Sequence, residues 1–211
     1  MRLPAALSSP ASPGPLEPAG FSGPAGLRRT AAFLAFSTVA ALTLGWPLVA
    51  RAVPDGEGLS AGQVLRLGFA PAQRVSLRVM GAGWRLSRAE SDPGTGFLLT
   101  RDGVRLRASR VGLTRPQDAD RLWTGLRQVL RTSDGAARLG SPRVVRTDTG
   151  RAGQRGNASE GGRSGQAFVF ASPARDYGLQ VVVLGEPGAD AGALREGYAL
   201  ARTAVFAREG A

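Results

Sequence analysis

Cysteine, histidine and lysine are all missing from this chain of 211 residues, so its 27 basic side chains are all arginine. Without cysteine there is no disulfide, no lipid-modified thiol, no thiolate nucleophile and no thiolate zinc site. Without histidine there is no Ser-His-Asp triad and no imidazole metal ligand. Without lysine there is no Schiff base, no P-loop phosphate clamp and no Ser-Lys dyad. Only carboxylates and two tyrosines remain to be tuned for proton transfer near neutral pH. These gaps point away from an enzyme, and away from a resident metal or cofactor. Arginine in place of lysine, beside abundant alanine and 30 glycines, fits the codon bias of a GC-rich genome.

Set against these absences is one long uncharged run. Residues 30–50 hold 21 side chains without a charge, between Arg28-Arg29 and Arg51. At about 1.5 Å of rise per residue such a helix reaches roughly 30 Å, the thickness of a bilayer's hydrocarbon core. Trp46 falls near one end, where indole rings favour the headgroup level. The positive-inside rule puts Arg28 and Arg29 in the cytoplasm and everything after the span outside. A second reading stays open. Ala50-Arg51-Ala52 is an A-x-A pattern, and cleavage between Ala52 and Val53 would release the remainder as a secreted domain. The run exceeds the usual ~7–15 residues of a signal-peptide core, which favours an uncleaved anchor. Both readings export the rest of the chain.

Four segments result. Residues 1–29 hold six prolines among Gly, Ala and Ser, and form a disordered cytoplasmic tail. Residues 30–50 are the transmembrane signal anchor. Residues 51–62, rich in Pro, Gly and acid, read as a spacer. Residues 63–211 make one exported domain, long enough for a hydrophobic core. From residue 53 onward 23 arginines face 15 acidic residues, a net charge of +8. Such an excess suits anionic lipid, wall polymer or an acidic protein partner, and an exported domain is not placed to meet nucleic acid.

Within the domain, residues 64–67 read as a short strand. In 74–79 Val75, Leu77 and Val79 alternate with Arg74, Ser76 and Arg78, and 83–86 starts another strand. Asp102-Gly103 is a preferred type I′ pair and predicts a hairpin. A two-residue loop pairs Arg101 with Val104, Leu99 with Leu106 and Phe97 with Ala108. That register gathers Phe97, Leu99, Val104, Leu106 and Ala108 on one face, with Leu98, Thr100, Arg105 and Arg107 on the other. Thr114 is a capping candidate for a helix that carries Pro116 and Asp118 early and ends by 133–135. Its apolar face is Leu122, Trp123, Leu126, Val129 and Leu130. Strands come next at 143–147, 167–171 and 179–184, with a Gly-rich stretch at 149–165 that reads as a mobile loop. Pro187 and Asp190 lead into a last helix, on which Leu194, Tyr198, Ala201 and Val205 recur with helical spacing. Six or seven strands with two helices and hairpin-length connections predict an α+β fold with a mainly antiparallel sheet.

Val79-Met80-Gly81-Ala82-Gly83-Trp84 resembles the strand and V-x-x-P/G-x-G-W opening of Mog1/PsbP-like domains, such as those of actinobacterial cell-envelope proteins. The resemblance runs over roughly residues 74–207. It implies an α/β/α sandwich whose closing helix ends in a short apolar strand, here within 198–206. It further implies a binding or scaffolding role, and it transfers no catalytic residue.

Gly150, Gly153 and Gly156 suggest a phosphate loop at first sight, but they match neither G-x-G-x-x-G nor Walker A. Asn157-Ala158-Ser159 matches a glycosylation sequon of low specificity. Carboxylate pairs are the enzymatic chemistry the composition leaves open, and a carboxylate-dependent hydrolase of wall polymer is the alternative function. Asp118 with Asp120 is explained by the helix dipole, and Glu90 with Asp92 by a turn. Arg74, Arg78, Arg105 and Arg107 all turn away from apolar faces. Arg78, Arg105 and Arg107 are the candidates for contact with an anionic surface, since a guanidinium matches phosphate and carboxylate in bidentate geometry. Trp84 and Trp123 are expected in the core. The sequence thus predicts a single-pass membrane protein with an extracytoplasmic, non-enzymatic binding domain.

Overall fold

A computed structural model of the chain describes residues 56–207. The expected tail, the span at 30–50 and the cleavage point at Ala52 and Val53 lie outside the described residues. No helix among the described residues is long and apolar enough to cross a membrane. The described residues lie in one compact unit, and both of its cores are built from residues within 59–206, so they carry the core a domain needs to fold.

The Asp102-Gly103 hairpin forms with the expected pairing. Strands β5 (Gly96–Arg101) and β6 (Val104–Gly112) place Arg101 opposite Val104, Leu99 opposite Leu106 and Phe97 opposite Ala108. Asp102 and Gly103 hold φ of 46° and 76°, the positive values a type I′ turn requires. Strand β11 (Tyr177–Gly185) pairs along the far edge of β6, followed by β10 (Arg163–Ala171) and β9 (Ala152–Glu160). The short strands β7 (Arg138–Leu139) and β8 (Arg143–Arg146) both pair with β9. At the other end β4 (Arg85–Leu86) and β1 (Glu57–Gly58) extend the sheet beyond β5. Every pairing in this sheet is antiparallel. A second, smaller sheet has the order β12 (Val205–Phe206), β3 (Val75–Arg78), β2 (Val64–Leu67).

Alternation along the strands sends apolar residues to both faces of the large sheet, and each face is covered differently. Phe97, Leu99, Leu106, Phe168, Val181 and Val183 face the small sheet and helix α2 (Ala191–Arg202), meeting Val75, Leu77, Val79, Leu200 and Ala201. On the opposite face Ala158, Ala167, Val169 and Leu184 receive Leu122, Trp123, Leu126 and Leu130 of helix α1 (Ala119–Ser133). With a helix on each side of the sheet, the domain is an α/β/α sandwich dominated by antiparallel strands. Trp84 and Trp123 are both buried, as expected.

Three local expectations change. Helix α1 begins at Ala119, and its cap is Asp118, whose carboxylate accepts the Arg121 N–H, not Thr114. Thr114 is bypassed because 114–118 cross to the sheet's end, where the Gln117 N–H donates to the Arg175 carbonyl. The Gly-rich stretch at 149–165 is no mobile loop: most of it is β9 and the start of β10. Gly153, Gly156 and Gly165 are there for close packing, while Gly150, Gly161 and Gly162 supply the positive φ of turns. A Cβ on Gly153 would overlap the Phe170 ring and the Val169 carbonyl, and one on Gly165 would overlap the Val183 carbonyl. Finally, the end of the expected spacer belongs to the fold. Glu57 and Gly58 pair with β4, the Leu59 N–H donates to the Trp84 carbonyl at 2.8 Å, and Leu59 is buried.

Candidate functional site

Helix α1 packs over β9, β10, β7 and β11, and so covers only part of its sheet face. Beside it β6 is left open, and there the outward residues of the hairpin strand emerge. Arg105 and Arg107 follow from the alternation that buries Val104, Leu106 and Ala108 on the other face. Arg163, at the start of β10, joins them across the sheet. Together with Leu126, Val129 and Leu130 of α1 these arginines line a groove of about 350 Å³. One wall is thus apolar and the other guanidinium-rich. Val129 is 56% exposed on the apolar rim.

The three arginines are not equivalent. Arg105 donates to Glu90 at 2.6 Å and Arg163 to Glu186 at 2.5 Å, both in partly exposed pairs. Such pairs are worth about 0–1 kcal/mol, so an incoming anion can displace them readily. Arg107 is exposed, and its guanidinium has no hydrogen-bond or ion-pair partner among the described residues. Glu160 lines the groove's end and tempers its positive field.

Arg78 stands elsewhere. Its strand belongs to the small sheet, with Leu77 and Val79 packed into the core between the two sheets, so the Arg78 side chain leaves the opposite side of the domain. The expectation that Arg78, Arg105 and Arg107 project together is corrected on that ground: one alternation was extended across two sheets that stack instead of lying side by side. Arg163 is the residue that sequence reasoning missed. Its place follows from the β9–β10 pairing, which the glycines disguised.

The carboxylates singled out in the sequence have local duties. Asp118 caps α1, and Asp120 accepts from the Gln154 side chain. Asp92 accepts from the Gly94 N–H at 2.8 Å and the Thr95 hydroxyl at 3.0 Å, building the turn before β5. Glu90 is the partner of Arg105. Asn157 and Ser159 lie within β9.

No family model matches the chain, and no curated protein matches it. Among solved structures it is similar to the solution structure of cyanobacterial PsbP (CyanoP) from Synechocystis sp. PCC 6803. The two share 10% identity at a TM-score of 0.47, over 74% of this chain and 99% of that one. The likeness is distant and is one of fold alone.

Proposed function

We propose that this protein is a membrane-anchored, exported domain of the cell envelope with a non-enzymatic binding role, and that the groove beside α1 rests on anionic lipid headgroups. The uncharged run at 30–50 and Arg28-Arg29 support the anchor and its direction. The opening at 79–84, which resembles Mog1/PsbP-like domains, supports the envelope setting. The observation that carries the binding role is the open strip of β6, where the exposed Arg107 sits between two loosely held arginines and an apolar helix edge.

Attraction of about 1 kcal/mol per basic residue near an anionic bilayer, fading beyond a Debye length, makes this a weak, salt-sensitive contact. Tethering turns a weak contact into an effective one. Folding of the domain from Glu57 onward leaves a short link after Arg51, and a short link keeps the effective concentration high. Cleavage between Ala52 and Val53 would give up that advantage, and the mass of the mature protein decides between anchor and secreted form.

Co-sedimentation of residues 53–211 with phosphatidylglycerol vesicles tests the contact. Binding at low salt that disappears at high salt, and in the Arg105→Ser, Arg107→Ser, Arg163→Ser triple variant, is the expected result. Absence of binding at low salt, or binding that survives the triple substitution, would overturn it and leave wall polymer or an acidic partner as the occupant to examine.

A further inference from the structure

On the other face of the sheet, helix α2 and the strand pair β8–β9 border a second, open pocket of about 400 Å³. Its floor is aromatic. Phe168 and Tyr198 meet with ring centroids 6.0 Å apart and planes inclined by 45°. Val144 and Val145 of β8 and Ala199 of α2 add aliphatic walls, and Arg155, Arg195 and Arg202 stand around the mouth. No carboxylate among the described residues lines it.

The charges here are less compensated than in the α1 groove. The guanidinium groups of Arg155 and Arg195 have no hydrogen-bond or ion-pair partner among the described residues, and Arg202 reaches Asp148 only at 3.6 Å. Arg143 sits directly opposite Arg155 across the β8–β9 pair, likewise without an acidic partner among the described residues. Like charges in facing cross-strand positions destabilise a sheet, and a bound anion would relieve them. The pocket also holds unused polar capacity. The Gln166 Oε1 is buried with no donor among the described residues. Tyr198 adds a phenol that is protonated at neutral pH as any tyrosine is, and burial favours that neutral form further.

An apolar concavity of this size with a few convergent polar groups is the usual form of a small-ligand site. We propose that this pocket binds a small organic oxyanion, a carboxylate or phosphate head on an apolar body, with the head held by Arg155 and Arg195 and the body laid on Phe168 and Tyr198. The site is separate from the α1 groove and does not depend on its contact with lipid. Arg202 closes the charged rim once an anion displaces Asp148. The Gln166 Oε1 favours a ligand that also carries a donor.

Calorimetric titration of residues 53–211 separates head from body with four probes: decanoate, decyl phosphate, decanol and inorganic phosphate. One or both of the amphiphilic anions should bind with unit stoichiometry, at least about tenfold tighter than decanol or inorganic phosphate, and the tighter of the two identifies the head. The Arg155→Ser, Arg195→Ser double variant should weaken that binding at least tenfold. Val144→Glu, a change at a side chain 71% exposed, should do the same by setting a carboxylate at the mouth without disturbing the core. Arg66→Ser, exposed on β2 and lining neither site, should leave it unchanged. Failure of both anions to bind, equal binding of decanol, or affinity that does not depend on Arg155 and Arg195 would overturn the proposal.

Discussion

On β6 inward and outward side chains alternate one by one, so the neighbours Leu106 and Arg107 answer to opposite demands. Leu106 is fully buried between the sheets, and Arg107 is exposed. A carboxylate at 106 would have neither water nor a cation, so Leu106→Asp should cost on the order of 4 kcal/mol, about 10 °C in Tm for a domain of this size. Arg107→Asp should change Tm by no more than about a degree or two, because it alters only a solvated face. Equal Tm values by differential scanning calorimetry would contradict the register. At this scale the sequence was readable wherever polarity alternates within a strand. Val75, Leu77, Trp84, Trp123 and the hairpin residues all sort as their polarity dictates. It was unreadable for Arg155 and Arg195, because a neighbour's missing partner is a fact of three dimensions.

Elements with a strong local signal, the hairpin and the body of both helices, were legible, and those that depend on a distant neighbour were not. Strand β9 is the instructive failure. Its Gly153 and Gly156, like Gly165 on β10, look like punctuation in one dimension, yet each gives way to a side chain or carbonyl from an adjoining element. Two glycine substitutions of opposite sign check that account. Gly165→Ala should lower stability by about 1–3 kcal/mol, since its Cβ has to push against the Val183 backbone. Gly125→Ala, exposed within α1 with nothing within 4 Å of the added carbon, should raise it by about 1 kcal/mol through helix propensity. Denaturant midpoints that move in the same direction would sink it. Another link between elements is Asp134, which ends α1 and accepts the Ala136 N–H at 2.9 Å and the Gly161 N–H at 3.0 Å, tying the helix to the β9–β10 turn. These bonds, helped by Arg138, hold its carboxyl below the ordinary aspartate value of 3.8. The folded state therefore favours the ionised form. Its stabilisation is complete above that ordinary value and is lost as pH falls through the lowered one. Asp134→Asn should accordingly flatten the acid limb of Tm against pH, and an unchanged limb would contradict the link.

For the whole molecule, strand alternation and helical spacing indicate a fold class, while the stacking of the sheets decides which charges act together. Arg78 and the Arg105–Arg107 pair carry the same alternation signal and still leave opposite sides of the domain, because β3 lies over the large sheet and not beside it. The two sides therefore make separable claims, one for a lipid surface at α1 and one for a small anion at α2. The α1 side bears the proposed function, and the most direct measurement of it is residue-resolved. Amide chemical shifts of residues 53–211 would be followed by NMR as phosphatidylglycerol bicelles are added at low salt. The account predicts shifts concentrated at 105–109, 126–130 and 160–163, with 75–78 and 195–202 unmoved. Shifts centred on Arg78 or on α2, or none at all, would contradict it.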